Sequence, residues 1–448
     1  MSLKAGVSHV SECFVKSDTS HVVGPLTIPF SPWDYLVLPA NYIQKGLLFT
    51  KPPPPSFSMS SFLNELKDSL SLALVHFYPL AGRLSTTTSH DPPSTVVCIN
   101  YADAPGARLI HAIAGVSVDD ILSPTCVPDV VFSFFDHAGL VNHHGHSESL
   151  LTLQVTELID GFFVGGSMNH SAGDGTAFWL FLRSLSQIFK ARNLNQELPN
   201  LPKPLFDRRL LNLSATEHSL PYTHPNQFIR PSKAHNIRER FFHFKSETIA
   251  KLKAEINQEQ NTDTISSLQA VSALVWKSIT RARNVPSDRK TACMLACDCR
   301  RRMEPQVPET YFGNCIAAVK ANALAGELLG NSLGWAAAKI HRAVIEQDDQ
   351  KIRQLIDTWI KSPVVSEVER YFEPYSVMMG SSPRFDMYGV DFGFGKALAA
   401  RSGFANKFEG KVSCYPGREG GGSMDLEVCL SPQDMLALEL DKEFMNYV

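Results

Sequence analysis

The sequence has no marked excess of charge of either sign: 42 Lys and Arg stand against 45 Asp and Glu, a formal net charge of -3. Proteins that grip a polyanion usually carry a basic face, so nucleic acid is not an expected partner. Long apolar runs are also missing. No stretch is long enough to span a bilayer, and nothing near the start resembles a secretory apolar segment, so no membrane association is expected. The ending Met445-Asn446-Tyr447-Val448 matches no common peroxisomal or ER-retention signal, and a cytoplasmic location is expected. Cysteine is sparse and unpatterned, with nine residues spread from Cys13 to Cys429. The odd number and scattered spacing suit a reducing compartment rather than a disulfide framework. Cys297 and Cys299 lack the spacing of a zinc or redox pair.

What the chain does have is length and apolar content. Its 448 residues, 44% of them hydrophobic, exceed what one core usually supports, so two domains are expected. The serines of Ser58-Met59-Ser60-Ser61 can cap a helix that carries Leu63, Leu66, Leu70 and Leu74 at helical spacing. It should stop near Tyr78-Pro79, because a proline disfavours helical geometry in the residue before it. Leu151, Leu153 and Val155 alternate with polar residues, Asp160-Gly161 signals a turn, and Phe162-Phe163-Val164 opens a second strand. This hairpin would deliver Asn169 and His170 at its end, with a helix following over Thr176 to Ala191. Residues 192–235 show little periodicity and read as a long crossover linker. Beyond it lie a strand at Phe241 to Phe244, helices at Ser246–Gln258, Ser266–Arg283, Asn331–Glu346 and Gln350–Lys361, and a late strand through Leu426, Val428 and Leu430. The organisation is therefore α/β: 1–191, a linker over 192–235, and 236–448.

Several groups could carry chemistry. His170-Ser171-Ala172-Gly173-Asp174 sets an imidazole among small residues between a strand and a helix. Such a His titrates near neutrality and can take a proton from an attacking hydroxyl or amine. On these residues alone the plainer reading is a turn histidine, with Asp174 capping the next helix. Asp391-Phe392-Gly393-Phe394-Gly395 mimics part of a kinase metal element, but the other kinase motifs are absent and a tight structural turn is the better reading. Gly165-Gly166-Ser167-Met168-Asn169 lacks the closing glycine of a nucleophile elbow. His137, His143, His144 and His146 lie in a polar stretch with no orienting carboxylates and read as a solvated loop, so no metal is expected. Asp298, Arg300, Arg301 and Arg302 form a solvated strand end or, alternatively, supply an Arg that pairs with a distant carboxylate.

Taken together, the motifs resemble the plant BAHD acyltransferases, a family marked by His-x-x-x-Asp in the first half and Asp-Phe-Gly-Trp-Gly near the end. Phe77-Tyr78-Pro79-Leu80-Ala81-Gly82-Arg83-Leu84 is similar to a characteristic family string. Ser31-Pro32-Trp33-Asp34, Asp298-Cys299-Arg300, Tyr311-Phe312-Gly313-Asn314 and Gly422-Ser423-Met424-Asp425 are similar to others, in the same order. The resemblance implies two similar chloramphenicol-acetyltransferase-like domains with a solvent channel between them and His170 reached from both ends. It implies His170 as general base in transferring an acyl group from acyl-CoA to a hydroxyl or amine of a plant specialised metabolite. Acyl-CoA would be a co-substrate with no bound cofactor, and the enzyme a monomer. Asp174 would point away from substrate and pair with Arg300. Asp391, Gly393 and Gly395 would form a structural turn.

Two positions depart from the family pattern. Phe394 replaces the usual Trp, and Ser381-Ser382-Pro383 stands where many members read Thr/Ser-Ser-Trp. Pro383 has no N–H to donate, so oxyanion stabilisation passes to Ser381 or a backbone N–H, with Ser381 facing His170 and Ser382 alternating to the other side of an extended segment. Gly380-Ser381-Ser382-Pro383-Arg384-Phe385 and Tyr42-Ile43-Gln44-Lys45-Gly46-Leu47-Leu48-Phe49 resemble the subgroup of the enhanced-Pseudomonas-susceptibility protein, which cleaves an isochorismoyl-glutamate conjugate. A lyase on such a conjugate, or an inactive binding homologue, is the alternative to acyl transfer.

Overall fold

The computed structural model describes residues 6–17, 24–53, 57–214, 217–229, 236–365 and 374–448. Parts of the proline run and of the linker, Pro54, Pro55, 215–216 and 230–235, lie outside them.

Two six-stranded mixed sheets organise the chain. The first runs Val7–Val15, Ala107–Ala114, Leu151–Glu157, Gly161–Met168, Ile43–Thr50 and Ala399–Ser402. The second runs Ile316–Leu324, Lys290–Asp298, Val377–Ser381, Lys411–Pro416, Met424–Leu430 and Arg238–Phe244. A small three-stranded sheet, Thr27–Pro29, Pro93–Asn100 and Arg83–His90, flanks the first. Each large sheet buries one face under helices. Met59–His76 and Gly175–Asn193 contribute to one core, and Ser246–Glu259, Ser267–Ala282 and Leu333–Ile345 to the other. Pro79 sets the end of the first of these helices at His76, as its geometry requires.

The two halves interlock. Ala399–Ser402 belongs to the second half in sequence but pairs antiparallel with Ile43–Thr50 in the first sheet. The described part of the linker region also carries local structure. Its Arg208–Leu211 forms a short helical turn capped by Asp207, and Leu205 bridges to Tyr311.

Two expectations change. Asn142–His146 is a half-buried helical turn rather than a solvated loop, and His137 is buried. Burial, reinforced by His146 and His144, lowers the His143 imidazole to about 4. Among the described residues no group of His, Cys, Asp and Glu is arranged to hold a metal. Ser381 is not extended: it ends its strand at φ 60, in the left-handed region. Ser382 instead accepts a turn hydrogen bond from the Arg384 N–H through Oγ at 3.2 Å, so the two serines do not simply alternate.

Candidate active site

The strand Gly161–Met168 is buried along its whole length and ends at Asn169. Two asparagines then shape the turn. The Asn142 side chain accepts from the His170 N–H at 2.7 Å, and Asn169 donates to the Asn142 carbonyl at 2.7 Å. Gly173 closes the turn under tight packing, because a Cβ there would lie 2.7 Å from the Ala177 Cβ. The next residue, Asp174, caps the helix Gly175–Asn193 by accepting from the N–H groups of Thr176 at 3.1 Å and Ala177 at 3.2 Å.

Asp174 makes a further, longer-range contact. Arg300 donates to its two oxygens at 2.8 and 3.1 Å, and the Cys315 N–H donates at 3.1 Å. Both side chains of the pair are only 1% exposed. Arg300 also donates to the carbonyls of Tyr311 and Gly313, each at 3.1 Å. Burial opposes the guanidinium charge, yet the charge and hydrogen bonds of Asp174 raise its pKa above the ordinary value. Both oxygens of the Asp174 carboxylate are thus occupied. Of the neighbouring charges, Arg301 pairs with Glu309 on the surface, and Arg302 donates to the carbonyls of Val344 and Gln347.

His170 itself is half-buried while its turn neighbours are buried. Its Nδ1 lies 3.1 Å from Asn314 Oδ1. The orientation of that amide follows from its other side. Asn314 Nδ2 donates to the His170 carbonyl at 2.8 Å and to Asp34 Oδ1 at 2.8 Å, so the oxygen must face the imidazole. An acceptor at Nδ1 places the proton on Nδ1 and leaves the Nε2 lone pair free. Asp34 is fully buried and is held in turn by Arg208 Nε at 2.8 Å and by its own capping box with Ser31. Burial lowers the His170 pKa; hydrogen bonding to its own carbonyl, the Asp174 charge and Asn314 oppose this, and Lys411 adds to it. The imidazole is therefore neutral at pH 7, the form a base requires.

Asn314, Asp34 and Arg208 do not appear among the site residues expected from sequence. The first two stand in strings that resemble the family, but nothing local joins positions 280 residues apart. Arg208 carries no signal within a linker lacking periodicity.

The segment after Ser381 packs near the turn: a Cβ on Gly175 would meet the Phe385 ring at 3.0 Å. Among the described residues no hydrogen bond joins Ser381 to His170. Asp391 lies at the far end of the same helix, where Lys190 donates to it at 2.7 Å, and it accepts from the Gly393 N–H at 2.7 Å. Gly393 and Gly395 take φ +86 and +87, conformations suited to glycine. Between them Phe394 inserts toward Phe57, Phe62 and Phe162, with centroids at 5.2, 5.7 and 5.8 Å. Phe392 is buried against Phe189, Phe49 and Phe62.

The turn thus presents one half-buried imidazole whose Nδ1 is taken by Asn314. Comparison with known proteins gives the class. The profile of the Transferase family matches residues 7–445. An uncharacterized acetyltransferase of Arabidopsis thaliana is 35% identical over 99% of both chains. The Arabidopsis protein Enhanced Pseudomonas Susceptibility 1 is 34% identical over 94% of this chain and 93% of its own. The Arabidopsis BAHD acyltransferase DCR is 32% identical over 95% of this chain and 90% of its own. Vinorine synthase has the same fold, with a TM-score of 0.74 at 20% identity over 99% of this chain and 98% of that one. So does Fusarium graminearum TRI101 complexed with ethyl coenzyme A, with a TM-score of 0.76 at 19% identity over 94% and 98%. The chain belongs to the BAHD acyltransferase family, and its two-sheet α/β architecture is that family's chloramphenicol-acetyltransferase-like fold.

Proposed function

We propose that the protein is a monomeric cytosolic enzyme that transfers an acyl group from an acyl-CoA to a hydroxyl or amine of a plant specialised metabolite, with His170 as general base. The observation that carries this is the Asn314 amide at Nδ1, which leaves the Nε2 lone pair available to a substrate. In the reaction Nε2 removes the acceptor proton as its oxygen or nitrogen adds to the thioester carbonyl. The resulting tetrahedral oxyanion collapses, the C–S bond breaks, and the proton on His170 passes to the leaving thiolate. Acyl-CoA serves as co-substrate, in keeping with the coenzyme A analogue bound by the TRI101 neighbour.

The oxyanion needs a donor about 2.7–3.1 Å away. Ser381 is the side chain proposed for it: its hydroxyl is half-buried and has no hydrogen-bond partner among the described residues. Its segment reaches the His170 turn, since Phe385, four residues on, packs against Gly175. Asp174 and Arg300 hold the turn, and Asp391, Gly393 and Gly395 hold the aromatic cluster, away from the reacting atoms. The test incubates pure protein with a panel of acyl-CoAs and plant alcohols and amines and reads free thiol. Acceptor-dependent thiol release is expected. Cleavage of an isochorismoyl-glutamate control, with no thiol release from any donor, would overturn the reading in favour of a lyase.

A further inference from the structure

A dense group of charges lies at the contact of the two halves. Glu427, buried, accepts from the Ser402 hydroxyl at 2.6 and 2.8 Å, from Tyr415 Oη at 2.8 Å and from Lys407 Nζ at 3.1 Å. Lys407 also pairs with Glu239. Lys45, from the first sheet, donates to Tyr415 Oη at 2.5 Å and lies 4.6 Å from that ring's centroid. The carboxylates of the group are thereby taken up by Lys407, Ser402 and Tyr415. Asp425, nearby, is engaged by His243.

Lys411 is left over. It stands on the strand Lys411–Pro416, and among the described residues its ammonium makes no hydrogen bond or ion pair. It is half-buried. A Cβ on Gly380 would lie 2.1 Å from Lys411 Nζ, so the absence of a side chain there makes room for the ammonium. Its charge reaches His170. Lys407 has Glu239 and Glu427 as partners, and Asp425 is held by His243, so no carboxylate of the group is turned to Lys411. Burial, with mutual repulsion among the lysines, lowers Lys45 to about 8, and burial lowers Lys411. A half-buried ammonium without a counter-ion is a ready place for a bound group to supply the missing negative charge.

We propose that Lys411, backed by Lys45, is the anion-binding arm of a substrate subsite beside His170, and that one of the two substrates presents a carboxylate to it. This rests on the acyltransferase reading and narrows it to a substrate class. The carboxylate can come from the acceptor, as a hydroxy acid, or from the acyl group, as a dicarboxylic monothioester. A carboxylate–ammonium hydrogen bond in a half-buried site favours the charged member of an otherwise matched pair by roughly tenfold.

The experiment uses the full chain and two arms. One compares 3-hydroxybenzoate, 4-hydroxycinnamate and quinate with their methyl esters as acceptors. The other compares malonyl- and succinyl-CoA with acetyl- and butyryl-CoA as donors. The wild type is expected to prefer the carboxylate member in one arm by about tenfold or more in kcat/KM, and Lys411→Met and Lys45→Met should collapse that ratio mainly through KM. No preference in either arm overturns the proposal. So does an equal loss for charged and neutral members in Lys411→Met, which would place Lys411 in the reaction itself. Thermal shifts with the free acids and the dicarboxylic thioesters, compared with their neutral counterparts, give a readout independent of turnover. Stabilisation by the charged compounds of wild type but not of Lys411→Gln supports the subsite even if no thiol release is seen; equal shifts in both proteins count against it.

Discussion

At His170 the question is which ring nitrogen carries the proton, and Asn314 answers it. His170→Ala should lower turnover by about two to four orders of magnitude while the thermal unfolding midpoint stays close to wild type, since the ring is half-buried and its backbone contacts do not need it. Because burial lowers the His170 pKa below its ordinary 6.5, the acid limb of kcat/KM should fall below pH 6.5: activity is present where His170 is neutral and is lost as pH falls through its pKa. Asn314→Leu removes an interaction that raises that pKa, so the limb should move further down, while the plateau drops because Nδ1–H loses its acceptor. An unmoved limb with an unchanged plateau would remove Asn314 from the site. Ser381→Ala should lower kcat by the equivalent of about 2.7–4 kcal/mol, and Ser382→Ala, whose Oγ serves a local turn, should change it little. Two silent substitutions would end the oxyanion role of this segment.

Among the elements, the helix Gly175–Asn193 is pinned at both ends, by Arg300 on Asp174 and by Asp391 on Lys190, but the two pins differ in strength. Asp174→Asn leaves the buried Arg300 guanidinium with only the exposed Asp298 as a carboxylate partner and should cost about 3 kcal/mol in denaturant unfolding. A double Asp174→Asn, Arg300→Met variant should lose less than the sum of the single losses. Asp391→Ala breaks a solvent-facing pair and should cost no more than about 1 kcal/mol, whereas Phe392→Ala opens the aromatic cluster and should cost about 3–5 kcal/mol. Elements of this kind were readable in the sequence because their signals are local. The apolar spacing of Phe178, Phe181, Leu182, Leu185 and Phe189 predicts a helix over Thr176 to Ala191, and the helix spans Gly175–Asn193. The Asp160-Gly161 turn likewise predicts the hairpin that carries His170. The Asp174–Arg300 pair is implied by resemblance alone. The chain Arg208–Asp34–Asn314 was not legible, since it joins a linker, an early capping box and a post-strand loop through contacts that only the folded state creates. The positive φ of Ser381 was hidden for a similar reason: a serine there carries no glycine-like signal.

For the whole molecule, the site exists only where both halves meet. His170 and Asp174 come from the first half, Asn314, Arg300 and Lys411 from the second, and Arg208 from between them. Ala399–Ser402 completes the first sheet from the second half. Residues 1–235 expressed alone should therefore fail to unfold cooperatively, while the full chain should show one calorimetric transition; two resolved transitions would mean that the halves are stable apart. The central claim is that His170 is the base in CoA-dependent acyl transfer, and the most direct measurement of it is thiol release from an acyl-CoA in the presence of acceptor, wild type against His170→Ala at matched fold. Acceptor-dependent release by the wild type, reduced about a hundredfold or more in the variant, is the predicted result; equal release by the two proteins would contradict the account.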